Sequence, residues 1–207
     1  MMISAGKIGV GYGNQRNKRA VFDGFNRADN YETMGSADTG QPWVSLQGTW
    51  GIQNGRAINI TVVASDFVLV ESGAKDVIIN CTTKGQLATL TAQRFFNIVF
   101  KALNQTNFLM TRVTGGRLEL YKSASGTLTN IASMNIDKNV DDVDYHFNIT
   151  CVGSSIKITV DGTTTLEYTL TEAEASYINY TRCGLRQTVN GTTIHTPSAE
   201  NFEVIRL

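Results

Sequence analysis

The sequence is poor in proline, in charge and in long apolar runs, and each shortage excludes something. Two prolines among 207 residues leave extended segments almost free of backbone interruption. Charged residues make up 17% of the chain, and eighteen basic residues balance eighteen acidic ones. A net charge of zero gives no general attraction to nucleic acid or to an anionic membrane. No apolar run reaches the length of a bilayer span, so we expect neither nucleic-acid binding nor membrane insertion.

Cysteine is scarce, widely spaced and odd in number, with Cys81, Cys151 and Cys183 as its members. No CxxC pair or Cys/His cluster is present, which argues against a zinc site and against a disulfide framework. We therefore expect buried, reduced thiols on strands. The N-terminal MMISAGKIGVGYG lacks the apolar centre of a signal peptide, so we expect assembly in a reducing cytoplasm.

Catalytic signatures are also missing. The sequence has no GxSxG elbow, no phosphate-binding glycine loop and no strand with the spaced carboxylates that glycoside hydrolysis needs. The two histidines are separated, with His146 on a predicted strand and His195 in a predicted loop. These absences predict a protein that is not an enzyme.

The dominant positive signal is period-two alternation of apolar and polar residues, which is typical of half-buried strands. Short separators rich in Gly, Asn, Asp and Ser divide the strands, and Asp161-Gly162 is the sharpest turn signal. The one helical signal is 171–177, where Thr171 and Glu174 have capping-box spacing. The predicted strands are 58–62, 64–70, 76–82, 86–91, 94–103, 106–113, 116–122, 127–136, 145–152, 155–161, 164–170, 180–187 and 201–207.

This density of short strands with hairpin-length loops predicts an all-β fold: an antiparallel two-sheet sandwich with at most one short helix. We expect residues 21–207 to form this domain and residues 1–20 to form an extended N-terminal arm, because glycine is too dense there for a packed element. The arm is either flexible or ordered against a neighbouring subunit. Its candidate anchoring residues are Ile8, Tyr12, Arg16, Lys18 and Arg19.

The stretch 22–58 holds both tryptophans and no clear strand pattern before 58, yet it carries the most specific motif. The segments are FNRAD (25–29), Trp43, GTWGI (48–52) and NGRA (54–57), joined later by ITVDG (158–162), GL (184–185) and ENFEV (200–204). Together they resemble concanavalin A-like lectin/glucanase domains, laminin-G-like in character, of the kind found in bacteriophage virion proteins. Glu200 stands where that pattern usually has Asp.

The resemblance covers about 22–207 and implies a jelly roll whose first and last strands lie side by side. It implies that Trp43 and Trp50 pack in the core or at its rim. Arg27 and Asp29 are interpreted as structural hydrogen-bonding residues rather than ligands.

For function, the resemblance implies a non-enzymatic virion component on a capsid or tail surface, assembled in the host cytoplasm and anchored by the arm. Its expected partners are other virion proteins and surface glycans, and a homo-oligomer is left open. The alternative is a free carbohydrate-binding module of a cellular protein.

Glycan sites combine an aromatic face with planar polar groups. The candidates are Tyr121, Tyr145 and His146 on predicted strands, and Arg186, Gln187, Asn190 and His195 in or near a late loop.

An acidic stretch at 137–144 supplies the metal candidates, Asp137, Asn139 and Asp141, whose alternation resembles the start of a calcium loop. Its sixth place holds Asp142 instead of glycine and its twelfth holds Asn148 instead of glutamate, so it is not an EF-hand. We therefore expect no cofactor, with structural calcium left open because many members of the resembled group bind it.

Overall fold

A computed structural model describes residues 18–61, 65–84, 93–138, 140, 143–190 and 197–207. Within these ranges the chain forms fifteen strands and one 3₁₀ helix, arranged as two stacked antiparallel sheets. The fold is the predicted all-β jelly-roll sandwich. The stretches 1–17 and 86–91, which include most of the predicted arm and one predicted strand, lie outside the described residues.

The strands are numbered in chain order. The eight-stranded sheet contains β1 (Arg19–Asp23), β3 (Trp50–Gln53), β4 (Arg56–Asn59), β6 (Val77–Lys84), β11 (Asp144–Val152), β12 (Ser155–Val160), β13 (Thr164–Thr169) and β15 (Ser198–Arg206). The seven-stranded sheet contains β2 (Val44–Gln47), β5 (Phe67–Glu71), β7 (Gln93–Asn104), β8 (Asn107–Thr114), β9 (Arg117–Ala124), β10 (Thr127–Asn135) and β14 (Arg182–Asn190).

The strand order explains how the two ends of the chain meet. The eight-stranded sheet runs β13-β12-β11-β6-β15-β4-β3, and β1 also pairs with β15. The seven-stranded sheet runs β10-β9-β8-β7-β14-β5-β2. The last strand, β15, therefore lies inside its sheet, and the first strand lies beside it as the resemblance implied.

Alternation is strict in the hairpin of β11 and β12. Phe147, Ile149 and Cys151 are buried while His146 and Asn148 are exposed. Neighbouring residues of a strand point to opposite faces, so the period in the sequence appears directly as burial.

The next hairpin, between β12 and β13, turns at the predicted dipeptide. Asp161 and Gly162 have φ values of 51° and 70°. That left-handed pair is the geometry of a tight turn matched to the twist of antiparallel strands.

The hydrophobic core has two parts, one on each side of the seven-stranded sheet. The larger part fills the space between the sheets and includes Trp50, Ile79 and Phe202, all fully buried. The smaller part lies on the opposite face of the seven-stranded sheet and comprises Phe67, Leu69, Val99, Ala102, Phe108 and Met110. The seven-stranded sheet therefore buries apolar residues on both of its faces.

The opening segment is held by one carboxylate. Asp23 is fully buried, and its Oδ1 accepts hydrogen bonds from Phe25 N at 2.8 Å and from Arg27 Nη1 at 2.7 Å. Its Oδ2 accepts from Arg27 Nη2 at 2.9 Å and from Trp43 Nε1 at 2.8 Å. The Trp43 ring packs between Phe25 and Phe202, with ring centroids 6.0 Å and 5.1 Å away. The tryptophan thus packs in the core, as the resemblance implied.

The stretch 22–58, which shows no clear strand pattern in the sequence before 58, does contain strands. Strands β1, β2 and β3 all lie in or at the border of this segment. They are four or five residues long, and pairing with neighbouring strands rather than a local pattern holds them in place.

The first strand begins at Arg19, two residues before the predicted start of the domain. Arg19 begins β1 and its Nε lies 2.6 Å from Glu203 Oε1, while Lys18 O accepts a bond from Arg206 N at 2.7 Å. These two anchoring candidates contact the last strand of their own domain. The other three, Ile8, Tyr12 and Arg16, lie outside the described residues.

The predicted helix forms as a 3₁₀ helix, Glu172–Asn179, joining the two sheets between β13 and β14. Its key residue is Glu174, 3% exposed, whose Oε2 accepts from Thr171 N and Oγ1 at 3.0 Å and from Tyr168 OH at 2.9 Å. Lys122 Nζ on the seven-stranded sheet donates to Glu174 Oε1 at 2.7 Å. Burial raises the pKa of Glu174, but these hydrogen bonds outweigh it and lower the pKa to about 2.

The three cysteines are buried and unpaired by disulfides, as the sequence predicted. They lie on β6, β11 and β14. Within the described ranges, no helix has the length and apolar character required to cross a membrane.

Replacing Asp23 with Asn should destabilise the fold by about 3–5 kcal/mol. The side-chain amide places an NH₂ group, itself a donor, where a carboxylate oxygen accepted hydrogen bonds, and it removes the negative charge that is bonded directly to Arg27. Urea denaturation measures the change. Asp38→Asn is the matched control, since Asp38 is 45% exposed and lies 3.7 Å from the same Arg27. It should cost less than about 1 kcal/mol. Equal losses in the two variants would contradict the central role of Asp23.

The low pKa of Glu174 makes the fold sensitive to acid. Its contribution is complete above the ordinary carboxyl pKa of 4.5 and is lost as the pH falls toward about 2, where the folded-state carboxylate takes up its proton. Glu174→Gln should lower the free energy of unfolding by about 2 kcal/mol at neutral pH and flatten its decline in acid.

Urea titrations across that acid range test this expectation. Glu172→Gln, an exposed carboxylate of the same helix, is the control and should keep the wild-type pH profile. A Glu174→Gln protein with an unchanged acid slope would refute the assignment.

Candidate functional site

The face of the seven-stranded sheet that points away from the sandwich interior, called here the outer face, carries the candidate site. Its floor is the smaller hydrophobic cluster, with Phe67 and Leu69 on β5 and Phe108 and Met110 on β8. Their neighbours Val68 and Val70 belong to the larger core, which shows that the floor faces outward.

A pocket of about 160 Å³ opens on this floor and is called here the arginine pocket. Phe67, Phe108 and Leu128 form its apolar surface. Its polar lining comes from the side chains of Gln47, Ser65, Gln105, Ser123 and Arg186. Pockets for drug-sized ligands begin near roughly 300 Å³, so this one fits a single ring or side group of a larger molecule.

Arg186 is the charged residue of the pocket lining within the described part of the chain. Its Nη2 donates to Ser65 Oγ at 2.8 Å and its Nη1 donates to Thr188 Oγ1 at 2.9 Å. Asn97 Nδ2 donates to the same Thr188 hydroxyl and to Arg186 O, both at 2.8 Å. The guanidinium is thus fixed by two hydroxyl groups and by an adjacent strand. Burial and the nearby charge of Arg112 lower the pKa of Arg186.

A second polar network lies on the same face, on strands β8 and β9. Arg112 Nε donates to Glu119 Oε2 at 2.8 Å, and Arg112 Nη2 donates to Tyr121 OH at 2.8 Å. Tyr121 OH donates to Glu119 Oε2 at 3.1 Å, and the Arg112 guanidinium lies 4.6 Å from the centroid of the Tyr121 ring. Glu119 therefore neutralises Arg112 and is itself fully engaged.

The rim of the pocket is built from two turns that are tied together. Asn104 Oδ1 accepts hydrogen bonds from Thr106 N and Asn107 N, both at 2.9 Å. Gly126 N and Ser123 Oγ, from the β9–β10 hairpin, both donate to Thr106 O at 2.9 Å. Gly126 has a φ of +85°, a conformation that side-chain-bearing residues rarely adopt. These bonds hold the rim in shape before any ligand arrives.

A smaller apolar pocket of about 120 Å³ lies farther along the same sheet, beside the edge strand β2. Its lining includes Pro42, Leu46, Leu69 and Arg182. Strands β2 and β5 contribute to both pockets, but the two pockets share no lining residue and are separate.

Within the part of the chain that the structure describes, the sequence-predicted site residues do not come together. Tyr121 and Arg186 lie on the outer face of the seven-stranded sheet, while His146 is exposed on the outer face of the eight-stranded sheet. There His146 Nδ1 lies 2.9 Å from Thr82 Oγ1, beside a hollow of about 260 Å³ whose lining includes Asn80 and Asn148. His195 and the Asn190 side chain lie outside what the structure describes.

Two candidates were wrong. Tyr145 is 1% exposed and Gln187 is fully buried, whereas we expected both on an accessible surface. Each precedes or follows a residue that does face outward, His146 and Arg186. Strand alternation sends adjacent side chains to opposite faces, so at most one of each pair could reach a ligand on a given face.

Sequence reasoning missed most of the polar residues of this face, notably Ser65 and Gln105 of the pocket lining and Arg112 and Glu119 of the second network. Glu119 and Tyr121 are two residues apart on one strand, a spacing that places them on one face. That signal was readable. Ser65 and Gln105 are in turns, where no periodicity assigns a direction.

The calcium candidates receive no support from the described residues. Asp137 is exposed, and Asn139 and Asp141 lie outside the described ranges. Among described residues, no group of three or more His, Cys, Asp or Glu side chains is arranged to hold a metal ion.

The described residues also offer poor nucleophiles. Burial raises the pKa of all three thiols, that of Cys151 to about 12, so none forms a thiolate near neutral pH.

No protein-family model matches the chain, and no curated protein matches it. Solved structures do share its fold. The carbohydrate-binding module CBM66 from Bacillus subtilis superposes with a TM-score of 0.58 at 14% identity, over 77% of this chain and 92% of that one. The VIP36 exoplasmic/lumenal domain, in a form bound to Ca²⁺ and Man3GlcNAc, gives 0.56 at 11% identity, over 80% and 84%.

The GH43 protein BlXynB from Bacillus licheniformis gives a TM-score of 0.57 at 12% identity, over 94% of this chain and 40% of that one. At such identities the likeness establishes the fold alone. The chain has the jelly-roll sandwich that these lectin-like, carbohydrate-binding and hydrolase-associated structures share.

Proposed function

We propose that this chain is a non-enzymatic glycan-binding domain and that its sugar site is the arginine pocket. The observation that carries the proposal is the lining of that pocket. Amide, hydroxyl and guanidinium groups surround an aromatic and aliphatic floor within a volume of about 160 Å³. A sugar ring needs this combination, since it presents hydroxyl groups around its edge and C–H groups on its faces.

The fold neighbours support the proposal. One is named a carbohydrate-binding module, and another is a lumenal domain crystallised with Man3GlcNAc. A jelly roll also hosts hydrolases, so the fold alone would not decide between binding and catalysis.

The chemistry of the pocket favours binding over hydrolysis. Glycoside hydrolysis needs two carboxyl groups within roughly 5–10 Å across the scissile bond. Within the described ranges, the pocket lining contains no carboxylate. The nearby Glu119 carboxylate is bound to Arg112 and Tyr121 and has no acid partner of its own in that network. A bound sugar would therefore be held without being cleaved.

The setting is the second part of the proposal. We place the domain on the surface of a bacteriophage virion, on a capsid or tail, anchored to other virion proteins by its N-terminal residues. Supporting this are the resemblance of 25–57 to phage-type modules and the pairing of β1 with β15, which places the start of the sandwich beside its last strand. The alternative is a free carbohydrate-binding module of a cellular protein, which the same pocket would serve.

The glycan proposal predicts binding on one face only. The purified full chain should bind members of a glycan array, assayed with and without Ca²⁺ because VIP36 was crystallised with that ion. Gln105→Ala removes an exposed amide from the rim and should weaken binding about fivefold, the worth of one hydrogen bond of ~1 kcal/mol. Calorimetry with the best array ligand measures the change.

His146→Ala is the matched control on the opposite sheet and should leave the affinity unchanged. If His146→Ala weakened binding and Gln105→Ala did not, the glycan would bind the eight-stranded sheet, and the assignment of the site to the arginine pocket would be wrong. An array with no bound glycan would reject the glycan proposal altogether.

The virion setting predicts that the full chain co-sediments with phage particles and that its gene lies among capsid or tail genes. Deleting residues 1–17, ahead of β1, should abolish incorporation while thermal unfolding of the remaining sandwich stays cooperative. A truncated chain that still decorates particles, or a gene surrounded by unrelated cellular genes, would favour the cellular alternative.

A further inference from the structure

The arginine pocket presents an excess of hydrogen-bond donors. A guanidinium carries five N–H groups. The strong bonds of Arg186 use one of them on Ser65 and one on Thr188, and a weak contact reaches the Met110 sulfur at 4.0 Å. The N–H of Nε and the second N–H of Nη2 have no partner within the described part of the chain.

The hydroxyl groups of Thr188 and Ser65 both accept a hydrogen bond from Arg186. Thr188 Oγ1 accepts two hydrogen bonds, from Arg186 and from Asn97, which occupies both of its lone pairs. Ser65 Oγ accepts from Arg186. Each hydroxyl therefore has its own proton left to donate, and among described residues neither proton has an acceptor. A ligand in this corner meets donors from three side chains.

The charge of Arg186 is also uncompensated. The other arginine of the face, Arg112, has its counter-ion in Glu119 at 2.8 Å. Among described residues no carboxylate lies within ion-pair distance of Arg186, and the nearby charge that acts on it is the like charge of Arg112. A half-buried cation without a partner is costly to maintain. An anion supplied by the ligand would relieve that cost.

We propose that the arginine pocket is selective for glycans that carry an anionic group, a sugar carboxylate or a phosphate, with Arg186 and Ser65 of its lining and the adjacent Thr188 hydroxyl as receptors. This inference rests on the proposed glycan-binding function and narrows its ligand class. Guanidinium groups bind both oxyanions through paired N–H bonds, and neutral hydroxyl donors complete the shell. Binding of the anion should weaken as salt is added, since part of the attraction is electrostatic.

The experiment compares matched charged and neutral ligands by calorimetry on the full chain. The probes are oligomers of galacturonate, of hyaluronan and of sialic acid, each beside its methyl ester, together with glycerol-phosphate oligomers and neutral glucans. At least one anionic probe should bind ten times or more tightly than its neutral counterpart. Esterification abolishing that preference would identify a carboxylate, and preference for glycerol phosphate would identify a phosphate.

Arg186→Gln should weaken binding of the anionic probe at least tenfold, about 1.4 kcal/mol, and should weaken binding of a neutral glycan no more than about fivefold, the worth of one hydrogen bond. Arg182→Gln is the matched control, because Arg182 lies on the same strand and face and already pairs with Glu71 at 3.4 Å. It should not change the affinity. Thermal unfolding of both variants verifies that they are folded.

The outcomes separate the two proposals. Neutral glycans that bind as tightly as anionic ones, with Arg186→Gln weakening both to the same extent, would overturn the anion inference and leave glycan binding intact. If no probe of either kind bound, both proposals would fall together. An anionic preference that survives Arg186→Gln would place the anion elsewhere and overturn the assignment of these three residues.

Discussion

The fold depends on the buried carboxylate of Asp23. It accepts four hydrogen bonds, from a backbone amide, from both terminal nitrogens of one guanidinium and from an indole. Each of these donors is thereby paired, and the charge of Asp23 is balanced by that of the arginine. Through Trp43 it fixes an aromatic ring against Phe202 of the last strand. The long opening segment therefore closes the sandwich rather than forming a binding loop. Arg27 of the FNRAD segment and Trp43 both donate hydrogen bonds to the Asp23 carboxylate, and this shared contact gives the motif a structural explanation.

Burial on both faces of the seven-stranded sheet is what makes a site there. A sheet with one wet face would expose only polar side chains, whereas here Phe67 and Phe108 form a floor that polar groups surround. Arg112 and Arg186 both lie on that face, and they differ: Arg112 pairs with Glu119, whereas Arg186 has no carboxylate within ion-pair distance among the described residues. The hollow on the opposite sheet is lined by His146, Asn80 and Asn148 among others, and its described lining contains no guanidinium. The two outer faces thus have different chemistry despite similar strand patterns.

Sequence reasoning identified only some residues of this site, and the reason is physical. Tyr121 and Arg186, both predicted as site residues, lie on the outer face, but their neighbours in space were not predicted, because β9 and β14 are separated by two strands of the sheet. Residue type alone could not tell which member of an adjacent pair faces the core and which faces outward, as in Tyr145 with His146 and Arg186 with Gln187. Only register against the paired strands assigns them. The short strands β2 and β3 were missed because four residues are too few for a period to appear.

By itself the sequence determined the all-β sandwich, the Asp161-Gly162 turn, the capped helix, the buried thiols and the lack of a catalytic motif. These follow from local periodicity, turn chemistry and residue type, which act over a few residues. The tertiary structure decided which apolar run covers which face and which side chains meet in the pocket. Ser65, Gln105, Leu128 and Arg186 come from four distant parts of the chain. Their proximity arises from strand order and register, which long-range pairing sets and no local pattern encodes.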